Sequence, residues 1–295
     1  MLSKRPKANV IIAYLAIPLL LYIFAVFIPL VTSLFYSFFE WKGGPNKTFI
    51  GFQNYLTLLK DDVFWLSFGH NLYLVALCLI GQVGLAFIFV MIINTRFVKA
   101  KSIHRTFGFF PSTVAAVAIG FIWTMIYDSR RGVLNWFLEA IGQEDKTQVW
   151  LNNSQLVMTL VAIPLIWQYI GYYMIILLSA TSAIDGEILE SAELDGASSF
   201  QKAIHVVLPM IKNTIIVCVV LCVSGNMKAF DNIYVMTSGG PGNASMVMAM
   251  YGYRISFAQQ NMGYGSAISV GIFVLGIVVI GGMQLMQKWL SKDEG

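Results

Sequence analysis

Residues 72–93 read Leu72-Tyr-Leu-Val-Ala-Leu-Cys-Leu-Ile-Gly-Gln-Val-Gly-Leu-Ala-Phe-Ile-Phe-Val-Met-Ile-Ile93, without one charged side chain. A helix of about 20 such residues crosses the hydrocarbon core of a bilayer. An unpaired charge at its centre would cost about 2.5 kcal/mol or more, so charge-free runs mark spans. Working outward from this one, charge-free stretches recur over residues 8–39, 71–95, 106–127, 147–184, 213–227 and 255–287. Each can hold one membrane helix. The fifth must extend past its charge-free part, and the sixth reads best over 266–285. Residues 246–258 are apolar-rich but contain Arg254 and are short for a span, which predicts a surface or partly inserted helix.

Composition agrees with this reading. Of 295 residues, 57% are hydrophobic and 12% are charged, with mean hydropathy +0.71. A soluble domain carries about twice that charged fraction, so too little polar surface remains to cover a globule of this size. The expected fold class is all-α: a polytopic membrane protein of six transmembrane helices, forming one domain over residues 1–295. The net charge of +4 is spread along the chain and speaks to membrane orientation, not to nucleic acid. The basic start before residue 8 resembles a signal peptide, but the apolar run behind it is too long for one, so it reads as an uncleaved first span. Cys78, Cys218 and Cys222 all fall inside apolar runs and read as free, buried thiols.

Basic residues in short loops set the orientation. Lys4, Arg5 and Lys7 precede the first span, and Arg96, Lys99, Lys101 and Arg105 follow the second. Lys288 and Lys292 follow the sixth, so both termini are expected in the cytoplasm. On this topology Trp41, Trp65, Trp136 and Trp150 sit at the outer interface and Trp289 at the inner one.

The loop between spans four and five breaks the charge pattern. It holds Asp185, Glu187, Glu190, Glu193 and Asp195 against Lys202 alone. Two short helices with a reversal between them are predicted here. Asp185 can cap the first, whose early acids suit the positive end of the helix dipole. Gly196 supplies the turn. Ser198 and Gln201 have capping-box spacing for the second, whose Phe200, Ile204 and Leu208 share a face. Pro209 disfavours simple continuation into span five. A rigid protruding pair can transmit force if a partner grips it. The same features also suit a solvated connector, and the residues alone leave both readings open.

The stretch Glu190-Ser-Ala-Glu-Leu-Asp-Gly-Ala197, followed by Phe200-Gln201 and Val206-Val-Leu-Pro209, resembles the EAA loop of ATP-binding-cassette importer permeases. That pattern runs E-A-A, three residues to Gly, then nine to I-x-L-P. Glu190, Gly196, Leu208 and Pro209 match in register. Ser191 and Val206 depart from the usual Ala and Ile, and Asp185 stands where many relatives carry Pro. Trp41 to Gly44, Phe49 to Tyr55, Arg105 to Pro111, Gly132 to Asn135, Phe230 to Gly242, and Tyr264 with Ala267 are similar to the carbohydrate-importer branch. Within it, the chain resembles the first maltose and glycerol-3-phosphate permeases, without the large external insertion of the maltose form.

The resemblance implies an ABC type I importer permease fold with a core over about residues 71–289 and a coupling loop at 181–210. It implies a second homologous permease, two cytoplasmic ATPase subunits (two chains or a homodimer) and an extracellular or periplasmic solute-binding protein, all in a bacterial or archaeal cell membrane. ATP and Mg²⁺ would sit on the ATPases. This chain carries no G-x-x-x-x-G-K-[ST] phosphate loop, so it is expected to hydrolyse nothing and to bind no cofactor directly. Glu190, Ala192, Asp195, Gly196, Ala197, Phe200, Ile204, Leu208 and Pro209 would form the ATPase-coupling set.

A sugar needs aromatic faces and amide groups along its path. Trp167, Gln168 and Tyr172 in span four and Asn226 in span five are the candidates. An unpaired amide in hydrocarbon is expensive, so Gln168 and Asn226 must face the bundle or a wet cavity, or simply bond between helices. Asp231 lies at the outer end of span five, where a structural cap is the expected role. His70, His104 and His205 lack metal-ligand spacing. The alternative function is an ion-gradient-driven secondary transporter, but such proteins place ionisable relays at membrane depth, and the span centres here have none.

Overall fold

The computed structural model describes residues 8–95 and 98–290. Lys4, Arg5, Lys7, Arg96 and Lys292, which carry part of the orientation argument, lie outside them. The chain divides into two compact units, residues 1–61 with 252–275 and residues 62–251 with 276–295. Among the described residues, four helices are long and apolar enough to cross a membrane: Tyr14–Tyr36, Asp62–Asn94, Val157–Ser182 and Met262–Leu285. Two bent pairs raise the number to six if each pair is one span.

In the first unit a helix runs without interruption from Ala8 to Tyr36, through a π-helical turn at Ile23–Phe27. No described side chain from Ile11 to Tyr36 is buried, as suits a helix whose solvent is lipid or another subunit. The charge-free run continues to Phe39, but the helix does not. Its last residues enter a short hairpin, Phe39–Trp41 against Lys47–Phe49, in register Phe39 to Phe49 and Trp41 to Lys47. Asn54 ties the hairpin down by donating to the carbonyls of Ser37 (2.8 Å) and Phe39 (3.0 Å). The Tyr264 hydroxyl donates to the Asp61 carboxylate. A Cβ on Gly263 would lie 2.0 Å from the Phe39 carbonyl oxygen, so the start of the last helix accepts only glycine there.

The second unit is built around the 26-residue Val157–Ser182 helix, in which Val157, Val161 and Leu177 are fully buried. Asp62–Asn94, Lys101–Phe109, Ala116–Ile126 and Lys212–Asn226 all pack on it. The second span is longer than the expected 71–95, because the helix starts at Asp62, whose carboxylate sits in the first turn. The third is not one straight helix. Lys101–Phe109 passes through a 3₁₀ turn at Phe110–Thr113 and turns by 98° before Ala116–Ile126. A proline at the start of that 3₁₀ turn and extended backbone at Val114 and Ala115 end the first piece. The expected fifth span is likewise a bent pair, turning by 78° where Ser199–Met210 meets Lys212–Asn226 at Ile211.

Of the two alternatives for residues 246–258, a surface or a partly inserted helix, burial at the start of the stretch removes the surface one. Met246, Val247 and Met248 are fully buried, and the Met248 N–H donates to the Asn71 side chain at 2.9 Å. The three cysteines are free and buried. Outside the spans, the Asp128 carboxylate accepts the backbone N–H groups of Arg131 (2.8 Å) and Arg130 (3.0 Å), which hold it below the usual carboxylate range.

Candidate functional site

The acidic loop folds as the two-helix device its local signals predict. Asp185 caps Gly186–Leu194 by accepting the Glu187 N–H at 3.1 Å. Gly196 adopts φ +81°, a left-handed conformation that side chains with a Cβ resist. Ser198 and Gln201 form a complete capping box at the start of Ser199–Lys202: the Ser198 hydroxyl accepts the Gln201 N–H (3.3 Å), and the Gln201 side chain accepts the Ser198 N–H (2.8 Å). Lys202 pairs with Glu193 across the turn and locks the two pieces together. The second helix continues through a π-helical turn at Ala203–Val207 to Leu208–Met210, with Pro209 in that last turn.

Burial splits this segment into two faces. Ala203, Val207 and Ile211 point inward and are buried. Phe200 is 74% exposed, and Ile204 and Leu208 are half-buried on the other side. Leu194 is 89% exposed and Glu190, Asp195 and Gly196 are open, while Ala192 and Ala197 are partly covered. A rigid pair that presents bare Leu194 and Phe200 amid carboxylates has the makeup of a docking surface.

Within the second unit lies a cavity of about 340 Å³. Gln82, Tyr169, Tyr172, Asn226, Lys228, Asp231 and Asn232 are among its lining residues. Of the four residues expected on a substrate path, Tyr172 and Asn226 line it. Trp167 does not; it is 43% exposed and meets Trp123 edge to face with ring centroids 6.1 Å apart. Gln168 is buried and donates to the Val114 carbonyl at 3.0 Å, holding the break in the third span against the central helix.

Gln82 was not singled out from sequence. It stands in a π-helical turn, Leu79–Gly84, which interrupts the second span. Its side chain donates to the Leu165 carbonyl (3.0 Å) and accepts from Asn226 and from the Cys222 thiol, both at 3.3 Å. Asn71 donates to the Asn226 and Met227 carbonyls, at 3.2 and 3.3 Å. Both polar atoms of the Asn232 side chain, and the Gln168 carbonyl oxygen, are buried without a hydrogen-bond partner. The signal for Gln82 was one amide in an otherwise apolar span; that it faces Asn226 depends on packing and is invisible along the chain. Replacing Gln82 with Leu removes the Leu165 tie and one Asn226 contact. We expect a loss of about 1–3 kcal/mol, read as a lower melting temperature of detergent-purified protein; an unchanged melting temperature would refute a structural role for this network.

The comparisons with known proteins accord with this geometry. A family model described as the binding-protein-dependent transport system inner membrane component matches residues 92–292. The probable ABC transporter permease protein YurN of Bacillus subtilis is 32% identical over 287 residues, covering 96% of this chain and 97% of that one. The diacetylchitobiose uptake system permease protein NgcF of Streptomyces coelicolor is 27% identical over 300 residues, covering 98% of this chain and 85% of its own. A chain in the crystal structure of a bacterial ABC transporter involved in the import of the acidic polysaccharide alginate has TM-score 0.83, with 96% of each chain covered at 21% identity, a likeness of fold. Membership in a binding-protein-dependent family weighs against the gradient-driven alternative. The chain, a multi-pass membrane protein, belongs to the family of binding-protein-dependent transport system inner membrane components.

Proposed function

We propose that this chain is a permease subunit of an ATP-driven carbohydrate importer, forming half of a translocation path and taking its power stroke from a separate ATPase. The observation that carries the proposal is the capped, locked two-helix loop with its open turn at Gly196 and its bare Leu194 and Phe200. Glu190, Ala192, Asp195, Gly196 and Ala197 then meet the ATPase groove, and Phe200, Ile204, Leu208 and Pro209 carry its movement into the fifth span. The six spans run with both termini in the cytoplasm, within a single transmembrane domain whose core is about residues 71–289. ATP and Mg²⁺ belong to two ATPase subunits, and this chain binds no cofactor itself.

A carbohydrate substrate is supported by relatives whose names specify diacetylchitobiose uptake and multiple-sugar transport. The cavity lined by Tyr172, Asn226 and Asn232 offers a ring face and amides in one place. A solute-binding protein delivers the sugar from outside, and a second, homologous permease completes the path. Trp167 and Gln168 act beside the path, through Trp123 and Val114.

Purification of the chain from its native membrane in mild detergent, followed by mass spectrometry, tests the assembly. Recovery of a P-loop ATPase and a second six-span permease is the expected result. Recovery of this chain alone, in a preparation that still transports on reconstitution, would overturn the proposal and favour a gradient-driven carrier.

A further inference from the structure

A second cavity of about 630 Å³ lies in the second unit, away from the Gln82–Asn226 network. That volume falls in the range of ligand pockets, about 300–1,000 Å³. Phe89, Ile92, Val98 and Met174 wall it with hydrocarbon, and among the described residues Lys99 and His104 are the only polar side chains lining it. The surrounding sequence has one sign of charge: no Asp or Glu occurs between Asp62 and Asp128, while Lys99, Lys101 and Arg105 fall close together. Lys101 is engaged, donating to the Asn94 carbonyl at 3.3 Å. The Lys99 and His104 side chains have no hydrogen bond or ion pair among the described residues. The Arg105 Nε is buried with no hydrogen-bond partner.

Lys99 and His104 bracket the first turn of the Lys101–Phe109 helix. Its cap residue, Ala100, has φ +53° and offers no side-chain acceptor; its carbonyl takes the Ile103 N–H at 2.9 Å, and no side chain caps the N–H groups ahead of it. Open N–H groups beside a free ammonium favour an anion. On the flank beside His104 the helix leaves Ile103 and Phe107 exposed, at 55% and 75%, an apolar side that suits hydrocarbon. An anionic head over an apolar chamber, at the end of a membrane helix, is the geometry of an anionic phospholipid. A partner helix would suit the chamber but leave the positive rim unanswered.

We propose that this cavity holds an anionic phospholipid, with an acyl chain between Phe89, Ile92 and Met174 and its phosphate at Lys99, His104 and the first turn of Lys101–Phe109. The lipid would brace the end of the second span against the central helix. This site is independent of the transport reading and of the substrate cavity.

The test uses the full-length chain in its native transporter assembly, reconstituted into phosphatidylcholine nanodiscs. A minor fraction of probe lipid carries a diazirine in its tail and either a phosphatidylglycerol or a phosphatidylcholine head. After irradiation, labelled peptides are mapped by mass spectrometry. The phosphatidylglycerol probe is expected to label the peptides bearing Phe89–Ile92 and Met174 about fivefold more than its phosphatidylcholine twin, the equivalent of ~1 kcal/mol for the Lys99 ammonium. The Lys99→Gln, His104→Gln double variant should bring the two probes level there, while labelling around Phe273 stays unchanged. Equal labelling by the two probes in the unmodified protein would overturn the proposal without any variant. So would absence of label from the cavity, as when a protein helix fills it, or a preference that survives the double substitution.

Discussion

Gly196→Asp is expected to leave the chain in the membrane at normal levels and to cut uptake about tenfold or more, a loss of at least ~1.4 kcal/mol in coupling. The reasoning starts from the backbone. Gly196 sits at φ +81°, and nothing lies within 4 Å of where a Cβ would go. An aspartate therefore meets no neighbour inside the chain. Its intrinsic cost is the left-handed conformation, about 1–2 kcal/mol for an ordinary residue and less for Asp or Asn.

That cost falls on an exposed turn already fixed by the Asp185 cap, the Ser198–Gln201 capping box and the Lys202–Glu193 pair, so the loop should still form. What changes is the outer surface. A new carboxylate joins Glu190, Glu193 and Asp195 at the apex, the place where the proposed coupling role brings an ATPase close. Gly196→Ala separates the two effects, because it adds the strain without the charge, and it should lose less uptake than the aspartate. The measurements are membrane abundance by immunoblot, uptake of labelled sugar, and ATP hydrolysis by the reconstituted assembly with and without loaded binding protein. Normal uptake by a correctly inserted Gly196→Asp protein would remove the coupling role from this loop.

The two-helix fold of the acidic loop was legible in the sequence because its capping signals are local. Asp185 reaches two residues ahead, Ser198 and Gln201 reach three, and a glycine between two helical segments marks a reversal wherever it occurs. The existence of the spans was equally legible, since hydrocarbon length and charge exclusion are summed over a window. Their ends and bends were not. Hydropathy treats Phe110 to Ala115 as more of the same apolar run, although the chain there tightens, extends and turns by 98°. Residues 246–258 read as a surface or partly inserted helix because of Arg254 and their short length; Asn71, far away in sequence, accepts the Met248 N–H, and the start of that stretch is buried.

The cavity shows the same division. Asn226 and Tyr172 were chosen by chemical type and do line it, whereas Trp167 and Gln168 were chosen by the same criterion and face elsewhere. Helical periodicity cannot decide among them, because a long helix packed on several sides has no single inner face. Gln82 joins the wall through a π-helical turn that shifts the register of the second span.

Gly171→Ala should produce the largest structural effect of any single methyl added to this chain's central helix. A Cβ there would lie 1.8 Å from the Gly108 carbonyl oxygen, 2.3 Å from its carbon and 2.8 Å from the Phe109 nitrogen. All three are backbone atoms, so no rotamer change relieves the clash. The Val157–Ser182 and Lys101–Phe109 helices would have to move apart by more than an ångström. Two glycines facing each other permit this close crossing, in the manner of small-residue contacts between membrane helices.

Separating them also disturbs Met174, whose methyl lies 2.9 Å from the position a Cβ on Gly108 would take. Overpacking of this kind costs about 3 kcal/mol or more when backbone must shift. The expected result is a marked fall in the melting temperature of the purified protein and loss of the chain from the membrane through degradation. Gly281→Ala serves as the matched control: Gly281 lies inside the last helix with nothing within 4 Å of its would-be Cβ. There the extra methyl should be neutral or stabilise the helix by about 0.5–1 kcal/mol. If Gly171→Ala melts within a degree of the unmodified protein while Gly281→Ala behaves as stated, the two helices do not cross as closely as Gly108 and Gly171 require.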